Sequence, residues 1–108
     1  MPFYGRIGIP APEGSDTTVS GSICKWSVRE GEFVSPNKTI GTVEVGGKIY
    51  GLVVCFPALI RRLCAVENSA INADDVILEW AADGESIPYG RSYFRLESGS
   101  SGDIIPNY

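Results

Sequence analysis

The chain of 108 residues contains no histidine. That removes the commonest general base and the commonest metal ligand available near neutral pH. Cysteine is scarce. Cys24, Cys55 and Cys64 are odd in number and lack metal-ligand spacing, which predicts small buried hydrophobes in a reducing, cytoplasmic compartment. No apolar run approaches the roughly 18 residues that a membrane-spanning helix needs, so no membrane role is expected. The opening MPFYGRIGIP has neither the basic start nor the apolar core of a secretory signal. Positive charge is short as well: nine Lys and Arg against 13 Asp and Glu leave a net charge of −4. A field of that sign gives nucleic acid no support.

Catalytic constellations are also missing. The serines have no histidine to activate them. Glu30, Asp74 and Asp75 are acidic, but their setting is that of turn caps rather than of an acid–base pair. The loops GESIPYG and GSSG lack a phosphate-loop lysine and a following helix. No catalytic residue and no metal ligand is assigned, and a free-standing enzyme is disfavoured.

What is present is a β pattern. Apolar residues alternate or come in short runs, broken by Gly, Pro, Asn or Asp about every eight to twelve residues, which is the all-β signature. PALIRRLCAVEN is the one helix candidate, with Pro57 suited to a first turn. An internal repeat argues for a strand there instead. Adding 37 to Glu30-Gly31, Val34, Asn37, Ile40 and Val43 gives Glu67-Asn68, Ile71, Asp74, Ile77 and Trp80. Ile23 and Trp26 fall on Ile60 and Leu63 in the same way. A third, weaker echo runs from Asp83-Gly84 through Ile87, Gly90 and Tyr93 to Leu96. Two such halves predict two small sheets closing over one core. The expected core is Ile23, Trp26, Val34, Ile40, Ile60, Leu63, Ile71 and Ile77, each contributing roughly 1.5–3 kcal/mol before entropy is counted. Trp26 and Trp80 read as packing residues. Trp26 and Val28 should point one way, Lys25 and Ser27 the other.

Between the halves lies TVEVGGKIYG, residues 42–51. Val43 and Val45 alternate, Gly46-Gly47 can supply the two positive φ values of a type I′ turn, and Ile49 and Tyr50 resume the pattern. Lys48 stands just past the turn and is the only lysine after Lys38.

Those residues carry a resemblance. GSICKWSVREGEFV, residues 21–34, resembles the first half of lipoyl domains from the dihydrolipoyl acyltransferases of 2-oxo acid dehydrogenase complexes, where G-T-I-V-K-W-L-V-K-E-G-D-x-V is usual. IGIPAP, residues 7–12, resembles the opening strand. FPALIRRLCAVENSAINADDVILEW resembles the second half, with Ala58 and Asn68 where glycines are normal. The match covers residues 7–81 with a short insertion near residues 12–20, and the 37-residue spacing is similar to the family's own. DGESIPYGRSYFRLE, residues 83–97, resembles the closing segment of the related biotin carrier domains and is expected as an extra C-terminal β segment at the rim.

The resemblance implies a barrel-sandwich hybrid: a flattened β-barrel of two pseudo-symmetric halves, occupying residues 1–97 and followed by a flexible tail, residues 98–108. In that family one lysine at a hairpin tip takes lipoate or biotin and swings an intermediate between the active sites of a multienzyme complex. Here the window reads Glu44-Val45-Gly46-Gly47-Lys48. Glu44 matches the family tip; the acceptor position, counted without gaps from Glu30, is Gly47. Lys48 comes one residue late, and one residue reverses the face of a strand. Two functions follow. The first is a cofactor-free interaction or adaptor module that mimics a carrier and meets a protein partner. The alternative is a true carrier modified on Lys48 with lipoate or biotin.

Overall fold

The computed structural model describes residues 2–12, 17–86 and 93–98. It is all-β: β1 (Pro2–Ile7), β2 (Ile9–Pro10), β3 (Thr18–Val19), β4 (Gly21–Trp26), β5 (Phe33–Val34), β6 (Lys38–Val45), β7 (Lys48–Val54), β8 (Ala58–Leu63), β9 (Ser69–Ile71), β10 (Leu78–Asp83) and β11 (Phe94–Ser98). One 3-10 turn, Gly84–Ser86, follows β10, and no α-helix occurs among the described residues. The helix candidate at residues 57–68 is β8 and the turn after it.

The strands form a four-stranded sheet in the order β1-β10-β8-β5, a five-stranded sheet in the order β11-β7-β6-β4-β9, and a small β2-β3 ladder. The two large sheets face each other as a sandwich. They do not close on one another, so the flattened barrel expected from the sequence is an open one, with separate sheet edges rather than a continuous strand circuit. The two-half organisation is present in full. Shifting by 37 carries β4, β5 and β6 onto β8, β9 and β10, and the sheet orders then match strand for strand, with β7 standing where β1 stands. β11 is extra, added outside β7 through Phe94↔Val54 to Ser98↔Tyr50. The C-terminal β segment therefore sits at a rim, as expected, and extends one residue into the stretch assigned to the tail. Arg95 holds it down by donating to Asn37 Oδ1 at 3.2 Å and to Cys55 Sγ at 3.1 Å, while pairing with Glu97 at 2.6 Å. Residues 13–16 of the insertion, 87–92 of the third echo and 99–108 of the tail lie outside the described residues.

Backbone hydrogen bonds are exchanged between the halves in matched pairs. The Leu63 N–H donates to Glu30 Oε2 at 2.9 Å, and the Trp26 N–H donates to Glu67 Oε2 at 2.9 Å. The Gly31 N–H donates to the Ile60 carbonyl and the Asn68 N–H to the Ile23 carbonyl, both at 2.6 Å. Ser27 N–H to Ile40 O has its counterpart in Cys64 N–H to Ile77 O. Gly31 and Asn68 both have positive φ, 89° and 65°. Asparagine is the side chain that tolerates that region best, so it can stand where the first half has glycine. One irregularity corresponds as well: the register shifts between Ile23 and Lys25 on β4 and, in the second half, between the partners Glu79 and Trp80 opposite Arg61.

Six of the eight expected core residues are buried: Ile23, Val34, Ile40, Ile60, Ile71 and Ile77. Trp26 and Leu63 are only half-buried. They are pseudo-equivalents at a strand end, where each gives its N–H to the opposite carboxylate; Trp26 also donates Nε1–H to the Ala65 carbonyl at 2.8 Å. The cysteines correct the sequence reading. Cys64 is exposed and Cys24 and Cys55 are half-buried, because Cys24 lies at the β4 bulge, Cys55 follows the last residue of β7, and Cys64 follows the last residue of β8. Partial desolvation of the sulfur pushes the Cys24 thiol up, with Glu44 adding to the shift, and at Cys64, although the residue is exposed, partial desolvation followed by Glu79 acts in the same direction.

Size is balanced across strands rather than residue by residue. Each half pairs one tryptophan with one glycine. Trp26 lies opposite Gly41, whose added Cβ would stand 3.1 Å from the indole. Trp80 lies opposite Gly5, whose added Cβ would overlap the indole ring. At the equivalent of the Trp80–Gly5 pair the other half has Val43 opposite Tyr50. Trp80 is the centre of an aromatic cluster with Phe56, Phe94 and Tyr93, with edge-on contacts to Phe56 at 4.9 Å and to Tyr93 at 5.9 Å.

Two stability predictions follow. Gly5→Ala forces the Trp80 ring to move and should cost about 1–3 kcal/mol in urea unfolding; an unchanged midpoint would contradict the packing. Glu30→Ala and Glu67→Ala should each cost about 1 kcal/mol by the same measurement, because each removes an exposed carboxylate that accepts a backbone N–H. A loss in one half only would contradict the reciprocal arrangement.

Candidate functional site

The hairpin of β6 and β7 is built on the longest ladder among the described residues. Seven register pairs run from Lys38↔Val54 to Val45↔Lys48, with one irregularity between Thr39 and Gly41. Val43 is fully buried and anchors the hairpin to the core. Gly21 on β4 lets the neighbouring strand approach: a Cβ there would overlap the Glu44 carbonyl and lie 3.1 Å from Val45 Cγ2. The hairpin tip is thus a rigid extension of the five-stranded sheet.

Gly46 and Gly47 form the turn, with φ of 60° and 82°. Both values are positive, as a type I′ turn requires and as glycine adopts without a steric penalty. Added Cβ atoms at either position would meet nothing within 4 Å, so the constraint is conformational, and a side chain would point into open space. Glu44, Gly46, Gly47 and Lys48 are all brought together at this tip, and all are exposed.

Their arrangement differs from a displayed acceptor. Lys48 pairs with Val45 and is the first residue of β7. Directly opposite residues of an antiparallel pair share a face. Lys48 therefore leaves the sheet on the side of Val45 and Val43, the side that faces the core further down, while Glu44 and Ile49 share the outer side. The apex itself carries no side chain, since both turn residues are glycine. Among the described residues no ion pair involves Lys48.

Other chemistry is sparse. Among the described residues no three His, Cys, Asp or Glu side chains lie close enough to hold a metal ion, and no helix is long and apolar enough to cross a membrane. The sequence reading assigned nothing to the outer face of the four-stranded sheet. The structure places there a groove of about 530 Å³ lined by Tyr4, Phe33, Leu59, Arg61, Ala81 and Asp83, among others. Its signal was available in the repeat, at the positions that alternate with the core: Leu59 and Phe33 stand where the other half has Ser22 and Ala70.

Set beside protein-family models, curated proteins and solved structures, the chain matches none of them.

Proposed function

We propose that this domain is a non-catalytic interaction module: a lipoyl-like scaffold that carries no cofactor and meets a protein partner in the manner of a swinging-arm carrier. One observation carries the reading. The two residues at the apex of the β6–β7 hairpin are Gly46 and Gly47, and the lysine nearest to them is held in the strand by its pairing with Val45. Attachment of lipoate or biotin needs an amine presented at a fixed height on a turn. Here two glycines make the turn and the amine stands one residue to the side, in the strand. The absence of histidine from the whole chain supports a non-catalytic role. The three cysteines are free thiols, which fits a reducing, cytoplasmic setting.

A carrier modified on Lys48 is the second reading. It draws on the exposure of Lys48 and on its position one residue from the apex.

The two readings separate in one assay. Wild type, Lys48→Ala and the double variant Gly46→Asp/Gly47→Lys are incubated with lipoate ligase and, separately, with biotin ligase, and the products are weighed. Wild type should stay unmodified and the double variant should gain a lipoyl group, because the strands around the turn keep their spacing. The double variant should also lose about 1–2 kcal/mol of stability, since both replaced glycines have positive φ. Stoichiometric labelling of the wild type that disappears in Lys48→Ala would overturn the proposal in favour of the carrier.

A further inference from the structure

The pseudo-symmetry supplies an internal control for the surface. On the outer face of the four-stranded sheet, register pairs place Tyr4, Ala81, Leu59 and Phe33 in one row running from edge to edge. The equivalent row on the other sheet is Ile49, Glu44, Ser22 and Ala70. Both rows occupy the same position in the same fold, yet one is wholly apolar with two aromatic rings, and the other has polar side chains, Glu44 and Ser22, at its two central positions. The fold therefore does not demand apolar side chains there. Phe33 is 66% exposed and Tyr4 60%, and the groove between them holds about 530 Å³. Contiguous exposed apolar surface of this kind marks an interaction site.

Charge identifies the occupant. The chain has only nine basic residues and a net charge of −4, yet on this face three arginines outnumber the two carboxylates Glu79 and Asp83. Arg6 and Arg62 flank Glu79 in the next row. Arg61 lies over the Tyr4 ring, its Cζ 4.7 Å from the centroid. That contact holds a guanidinium at the groove wall, where no ion pair engages it among the described residues and it can donate to a carboxylate, and aromatic residues with arginine are the side chains that dominate binding surfaces. A second copy of this acidic chain would bring arginine rows of like charge into the same interface.

We infer that the outer face of the four-stranded sheet, centred on Phe33, Leu59, Tyr4 and Arg61, docks a partner segment that is acidic and carries an apolar or aromatic anchor. The inference rests on the interaction-module reading and gives it a surface away from the hairpin.

The test uses the full chain as bait for a displayed library of random twelve-residue peptides, with counter-selection against Phe33→Glu. Selected peptides should combine Asp or Glu with an apolar anchor. Their binding should weaken at least about tenfold in Arg61→Glu and in Phe33→Glu, weaken with added salt, and stay unchanged in Lys48→Ala. Both changed side chains are at the surface, and thermal melts check that each variant folds. Failure to enrich peptides specific to the wild type overturns the inference, as does enrichment of basic or uncharged ones. It is equally overturned by self-association that Phe33→Glu abolishes, by binding to anionic vesicles without binding to peptides, or by binding that emerges only after residues 99–108 are removed. Ligase labelling of Lys48 with intact peptide binding would overturn the cofactor-free reading and leave this site standing.

Discussion

Two carboxylates clasp this molecule. Glu30 reaches from the first half to the Leu63 N–H, Glu67 reaches from the second half to the Trp26 N–H, and beside each a residue with positive φ donates its N–H to the opposite strand. The rest follows from this exchange. Each half ends its long strand by handing the next short strand, β5 or β9, to the sheet of the other half, so neither half can bury its apolar face alone. The residues at the exchange have to be these: a carboxylate long enough to reach across, then glycine or asparagine to turn the chain left-handed. Sidedness of the strands is then fixed over the 37-residue spacing, and with it the register of the β6–β7 ladder that carries the candidate tip.

That fixed register gives Lys48 its meaning. On a loosely paired hairpin, a lysine one residue from the apex could slip into place. On this ladder, Val43 is locked in the core and Gly46 and Gly47 satisfy the turn with no distortion. β6 is held in place by β4 through Ile23↔Val43, so moving Lys48 to the apex would require β7 to slide against β6, and a one-residue slip would turn its core side chains Leu52 and Val54 outward. The loss of the Leu52 and Val54 side chains from the core, roughly 1.5–3 kcal/mol each, opposes such a slip. The same register that builds the ladder keeps the Lys48 amine away from the apex.

Much of this was legible in the sequence, and for a physical reason. The exchange needs Glu-Gly or Glu-Asn at one spacing and apolar residues at matched offsets, so the 37-residue repeat had to surface. Gly46-Gly47 was legible because few other dipeptides satisfy a type I′ turn. The correspondence of β1 with β7 was hidden. Register sets Tyr50 beside Val43 as Gly5 is set beside Trp80, a large-for-small exchange across the strands, whereas the visible likeness of Tyr4-Gly5 to Tyr50-Gly51 is out of step by one. The half-burial of Trp26 and Leu63 and the exposure of Cys64 were hidden too, since they depend on where bulges and strand ends fall. Closure into a barrel depends on the stagger between sheets, which alternation does not encode. The apolar outer row escaped notice because Phe33 and Leu59 alternate with core residues on very short pairings and look like more core.

Together, these features describe a two-sheet β scaffold with a glycine apex on one sheet and an apolar, arginine-flanked face on the other. The bare apex is the claim on which the functional reading depends. Its most direct test is the intact mass of the protein isolated from its native source, with the lysine-bearing peptides then sequenced by mass spectrometry. The account predicts an unmodified Lys48. A lipoyl or biotinyl group on Lys48 in a substantial fraction of the molecules would contradict it.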